Sequence, residues 1–225
     1  MIDIEKNKRI NNDLSKLYEQ VTEKTLEAYR NCFSEDDDPP KRINEFGIID
    51  VEQYDGDKGV LCVLKETAGW KNEAYEKGEL FRLWMHGITK KGFEPKSHVS
   101  RHPLIWYNLG RWTMLINNPE ADIKKIAYEK DAAREALASV AITNLNKVRG
   151  GSYSGKSYKK MIEESIVLET LQKEIDILSP RYIICCGTAN VIKNVKNFGG
   201  EIIDMPHPTA RISAVKMLER IKEYL

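Results

Sequence analysis

Three polar residues stand at or just beyond the ends of apolar runs: Glu66 after GVLCVLK, Asn144 at the end of VAITN, and His207 two residues beyond EIIDM. An imidazole can donate a hydrogen bond to an oxygen that gains negative charge. A carboxylate can orient water or stabilise a cationic centre, and a carboxamide offers both a donor and an acceptor to the edge of a heterocycle. Each residue alone has an ordinary explanation: a glutamate at a helix start, an asparagine in a turn, a histidine in solvent. Their order along the chain and their common place at strand ends make them a set.

Residues 147–160, KVRGGSYSGKSYKK, add five Lys or Arg and no acid. A flexible cationic strip suits a phosphate backbone, and its ordinary alternative is a solvated loop leading into a helix. The same stretch contains Gly150-Gly151-Ser152-Tyr153-Ser154-Gly155-Lys156-Ser157, which matches the phosphate-cradling pattern GxxxxGK[ST]. A P-loop begins directly at the end of an apolar strand, whereas Asn146, Lys147, Val148 and Arg149 intervene here. Asp204 is a weak candidate for holding magnesium, so nucleotide binding stands as the alternative reading. His98 and His102 have metal-like spacing only on a helix, which Pro103 disfavours. Cys32, Cys62, Cys185 and Cys186 show no CxxC spacing and are expected to be buried reduced thiols.

Elements that could position these groups follow from periodicity. Residues 3–32 carry apolar side chains at three- and four-residue intervals, which predicts an amphipathic helix with a break near Asn11. The acidic run SEDDDPP, residues 34–40, closes it as a solvated linker. FGIIDVEQY, GVLCVLKE, VAITNL, RYIICCG and EIIDM read as strands. Helices are expected over 79–88, 103–116, 121–140, 157–178, 188–198 and 209–225. The alternation predicts an α/β fold with a mostly parallel sheet, organised as an N-terminal helical extension and linker (1–40) and an α/β domain (41–225). In such sheets, ligands sit beyond the carboxyl ends of the strands, where the loops after Leu64, Asn144, Cys186 and Met205 converge.

Composition fits this picture. A chain of 225 residues with 31% charged and 41% hydrophobic residues can bury a core and is neither low-complexity nor disordered. The net charge of +1 argues against a polybasic tail protein but allows a local basic face. No run approaches the roughly 18 apolar residues of a membrane helix, and the first residues lack an apolar signal core. A cytoplasmic location without membrane contact or an obligate protein partner is expected.

Taken in order, the strand ends resemble the uracil-DNA glycosylase superfamily. There a motif of the form GEAPG, GQDPY or GMNPG is followed by an Asn-bearing strand end, an LSP-R-x-I-I-x-x-G segment and a C-terminal HPS. Here they read KETAG at 65–69, ITNLNK at 142–147, LSPRYIICCG at 178–187 and HPTARIS at 207–213. The likeness covers roughly residues 45–225. It implies a three-layer α/β sandwich and a DNA glycosylase that flips out a pyrimidine and hydrolyses its N-glycosidic bond. DNA, double- or single-stranded, would be the partner, and no cofactor or metal is implied, because the cysteines do not match the ligands of the iron–sulfur branches.

By motif matching, the resemblance assigns Glu66, Thr67 and His207 to catalysis. Asn144, Gly69, Trp70 and Phe81 fall to base binding, and Lys147, Arg149, Lys156, Ser179, Thr209 and Arg211 to DNA contact. Breaking a base–sugar bond builds negative charge on the base and positive charge on the sugar, roles that suit His207 and Glu66 respectively. The first motif departs from the family: Thr67 matches the usual Asp or Asn, and Ala68 the usual proline. A catalytically silent DNA-binding member is therefore a further alternative. Gly69 matches the tyrosine that blocks the pyrimidine C5 position in the GQDPY branch. Uracil is thus joined as a candidate substrate by 5-modified cytosines such as those of phage DNA, and repair by phage defence.

Overall fold

The computed structural model describes residues 2–33, 40–65, 67–68, 81–91, 103–150 and 155–225. Helix α1 spans Ile4–Cys32 without interruption. Asn11, the expected break, is buried on the inner face of this helix. Its Nδ2 donates to Ile48 O at 3.0 Å and its Oδ1 accepts from Ile48 N at 3.0 Å. The carboxamide thus imitates a neighbouring strand along the open edge of β1 (Gly47–Ile48). Asn7 does similar work, donating to Val51 O and Tyr54 O at 2.9 and 2.8 Å.

The remaining strands are β2 (Val60–Leu64), β3 (Thr67–Ala68), β4 (Val140–Asn144), β5 (Arg149–Gly150), β6 (Tyr182–Cys186) and β7 (Glu201–Met205). Five form one sheet in the order β1-β4-β2-β6-β7. β4, β2, β6 and β7 are parallel and β1 runs antiparallel at one edge, so the sheet is mixed. β3 and β5 make a separate two-stranded parallel sheet. Every residue of β2 and β4 is buried, as their near-continuous apolar sequences require when helices cover both faces.

The helices are α2 (Phe81–Lys91), α3 (Pro103–Asn117), α4 (Ile123–Tyr128), α5 (Lys130–Ala136), α6 (Lys156–Glu163), α7 (Ser165–Leu178), α8 (Ala189–Ile192) and α9 (Ala214–Lys222). α1 packs with α6 and α7, while α3, α4, α5 and α9 form a second group. Two expected helices are divided. Residues 121–140 break at Glu129, and residues 157–178 break at Glu164, whose extended ψ of 134° starts a new helix at Ser165. Of residues 188–198 only a single turn, α8, is helical, and α9 begins at Ala214, capped by Ser213.

The N-terminal helix is part of the core rather than an appendage. Leu14, Leu17, Tyr18, Val21 and Leu26 join the same buried cluster as the strand residues. Under them lies a polar knot. Tyr18 OH donates to Glu174 Oε1, and Thr143 Oγ1 lies 3.0 Å from the same atom. Lys147 Nζ donates to Glu174 Oε2 at 2.7 Å, to Asn144 O at 2.6 Å and to Thr143 Oγ1. All three ammonium hydrogens of Lys147 therefore have acceptors.

α3 and α5 meet where a side chain is excluded: a Cβ on Gly110 would lie 1.7 Å from Ala133 O. Gly110→Ala is expected to force the two helices apart and cost about 1–3 kcal/mol or more, read as a lower denaturation midpoint with an unchanged slope. An unaltered midpoint would contradict this packing.

All four cysteines are free and buried, as expected. Burial pushes the Cys62 and Cys185 thiols up to about 12, so they are poor nucleophiles.

Candidate functional site at the strand ends

Strand order decides where a pocket forms. The chain leaves β2 toward β4 on one side and leaves β6 toward β7 on the other, so a crevice opens beyond the carboxyl ends of adjacent strands β2 and β6. Lys65 follows β2 and Gly187 follows β6, while His207 comes from the loop after β7. Gly187 has φ +72°, a left-handed turn, and donates its N–H to Met205 O at 2.8 Å. A Cβ placed on it would lie 3.4 Å from both Lys65 Cε and His207 N. Three strand ends thus close on the space where a Gly187 side chain would begin. Thr188 Oγ1 braces the same corner by donating to Val63 O at 3.0 Å.

The protonation pattern of His207 follows from its neighbours. Thr209 N–H donates to Nδ1 at 3.3 Å, and Thr209 Oγ1 lies 2.8 Å from the same atom. Nδ1 is therefore an acceptor, which leaves the neutral ring with its hydrogen on Nε2. Partial burial lowers the His207 pKa, and the Lys65 charge lowers it further. Both effects disfavour the imidazolium. In an NMR titration, the His207 midpoint is expected below the ordinary value of 6.5; a midpoint above it would mean that an anion, not Lys65, is the controlling neighbour.

The loop that carries His207 is held from behind. Asn108 Nδ2 on α3 donates to Pro208 O at 2.7 Å. Arg111, one turn on, is buried and donates to Asn108 Oδ1 at 2.9 Å, with its guanidinium 5.9 Å from the Tyr107 ring centroid. Ala210 N closes the turn on His207 O at 2.8 Å.

Beyond the crevice, β2 and β4 continue to pair past their ends: Leu145 N donates to Leu64 O and Asn146 N to Lys65 O, both at 2.9 Å. Asn144 is buried at the end of β4. Because Thr143 faces Glu174 on α7, strand alternation turns Asn144 toward the opposite face of the sheet. Thr67 pairs in register with Arg149 in the small sheet, which brings the first motif beside the basic strip. Lys156 is the exposed first residue of α6, Phe81 begins α2, and Arg211 is exposed. Glu66, Gly69, Trp70, His98 and His102 lie outside the described residues.

Two expected DNA contacts are corrected. Lys147 is only 3% exposed and its ammonium group is spent inside the protein on Glu174, Thr143 and Asn144, so it offers nothing to a phosphate. Ser179 caps α7 at the amino end of β6, in a left-handed conformation with φ 45°. The strand separates it by about 13 Å from the crevice at the other end. Sequence reasoning also passed over Lys65, Gly187, Asn108 and Arg111. Lys65 and Gly187 lie inside the motifs already noted, and Asn108 and Arg111 are polar interruptions of the apolar run PLIWYNLGRWTMLI.

Among the described residues, no cluster of His, Cys, Asp or Glu could hold a metal ion, and no helix is long and apolar enough to cross a membrane. The fold is that of an α/β protein in which Lys65, Gly187 and His207 meet at the ends of three parallel strands. Comparison with protein-family models, curated proteins and solved structures gives no match.

Proposed function

We propose that the protein is a DNA glycosylase that hydrolyses the bond between a flipped-out pyrimidine and its sugar. The observation that carries this reading is His207 at the carboxyl ends of the parallel strands, with Thr209 on its Nδ1 so that Nε2–H is the donor side of the neutral ring. In the reaction the C1′–N1 bond breaks and its electron pair departs with the base. Water delivers its oxygen to C1′ and gives up the proton that the base takes up. A preorganised donor at the base oxygen strengthens as that oxygen gains charge, which is the condition for lowering the barrier rather than merely binding substrate.

Asn144, on a neighbouring strand end, would read the base edge. Glu66 is proposed to orient water or to stabilise the cationic sugar, and Thr67, Gly69, Trp70 and Phe81 keep the roles that the motif likeness gives them. Arg149, Lys156, Thr209 and Arg211 are the proposed DNA contacts, Thr209 in addition to its bond with His207. Uracil and 5-modified pyrimidines are the substrates to compare.

Replacing Arg149 and Lys156 together is expected to weaken DNA binding and reduce its salt dependence by about two counterions. Unchanged DNA affinity with loss of ATP binding would favour a P-loop instead. That alternative has α6 beginning at Lys156 on its side. Against it, the preceding strand is a two-residue member of the small sheet.

A further inference from the structure

We propose that Lys65 is a second donor to the leaving group: its ammonium ion and His207 Nε2–H together hold the oxygen of a departing pyrimidine anion across the bare backbone of Gly187. This rests on the glycosylase reading and extends it to a residue that the motif likeness assigns no role, since the GEAPG, GQDPY and GMNPG forms all carry glycine at that place.

The Lys65 stem packs against the turn at Gly187, its Cε 3.4 Å from where a side chain would begin, and His207 N flanks the same point at the same distance. Gly187 therefore leaves an opening between the Lys65 stem and the His207 backbone that even an alanine methyl would fill. Lys65 is half-buried at the end of β2, and its charge is felt at the His207 ring. Among the described residues no carboxylate pairs with its ammonium group. A half-buried cation beside an N–H donor is an electrostatic complement to an anion.

The chemical class follows from the two donors. A pyrimidine that leaves as an N1 anion spreads its charge onto the O2 carbonyl oxygen, which can accept from both. In the intact nucleotide the same oxygen carries only the partial charge of a carbonyl, so the attraction to Lys65 grows along the reaction and favours the transition state over the ground state. Together with the burial of the ring, the Lys65 charge disfavours the imidazolium and so favours the neutral form that donates at Nε2.

The test uses the full chain and the Lys65→Met and Lys65→Arg variants. The probe is 5-nitrouracil, a free base that is anionic at neutral pH, with binding followed through the His207 ring resonances. Lys65→Met is expected to weaken binding roughly 10- to 100-fold, the scale of losing one partly screened charge contact. It should also raise the His207 titration midpoint, whereas Lys65→Arg, which keeps the charge, should retain most of the affinity. In single-turnover excision, Lys65→Met should slow release of uracil more than release of 5-fluorouracil, whose anion needs less help. Equal binding by Lys65→Met, or no binding by the unaltered protein, would overturn the proposal. Equal slowing of the two bases would overturn it as well. Lys65-dependent binding without any base release would contradict the glycosylase reading alone.

Discussion

His207→Ala is expected to slow single-turnover base release by roughly 10²- to 10³-fold, the cost of removing one preorganised donor from developing negative charge. The loss should appear in the chemical step and not in DNA affinity, because the contact strengthens only as the bond breaks. Thr209→Val should reproduce part of the defect, since it removes the hydroxyl at Nδ1 while keeping the Thr209 N–H that also faces that atom. A His207→Ala protein with full activity would remove the imidazole from the mechanism, whatever the fate of Lys65.

The second large effect is on stability. Lys147→Met is expected to cost about 3–5 kcal/mol, because it leaves the Glu174 carboxylate buried without its cation. For a chain of this size that corresponds to roughly 10 °C in Tm. The paired replacement Lys147→Met with Glu174→Leu should recover most of the loss, since two buried charges vanish together and apolar volume takes their place. If the single and double variants were equally unstable, the Lys147–Glu174 contact would not be what holds α7 to the end of β4. Burial lowers the Lys147 pKa while Glu174 opposes that shift. The ion pair and the shared hydrogen bonds with Thr143 and Asn144 keep the ammonium group in place.

Lys147 also shows why part of the site was legible in the sequence and part was not. It stands in KVRGGSYSGKSYKK among residues that do read as a solvated cationic strip, and nothing in that local pattern marks one of its cations as buried. Its partner is far along the chain on α7, and the third member, Tyr18, is farther still on α1. Only the packing of α1 and α7 against β4 brings them together. The strands themselves were visible, because strands buried on both faces are written as apolar runs: GVLCVLK, VAITN and YIICC each became one.

FGIIDVEQY was shortened to Gly47–Ile48, since the edge of β1 is completed by Asn11 rather than by another strand. The helix over 3–32 is legible in the sequence, but Asn11, which reads there as a break, lies within it. Buried carboxamides that bond to a strand edge look, in sequence, like polar interruptions. Gly187 and Lys65 were present in the motifs, yet their meeting depends on the crossover from β4 past β2 to β6, which only the three-dimensional sheet order specifies.

Base release itself can be measured directly. The protein is incubated in excess over duplex and single-stranded DNA that carries uracil, 5-hydroxymethylcytosine or glucosylated 5-hydroxymethylcytosine at one position. Abasic sites are scored by alkaline strand cleavage, and the freed base by chromatography. The expected result is an abasic site and a stoichiometric free base from at least one of these substrates, abolished or strongly slowed by His207→Ala. Tight DNA binding with no base released from any of them would contradict the glycosylase account.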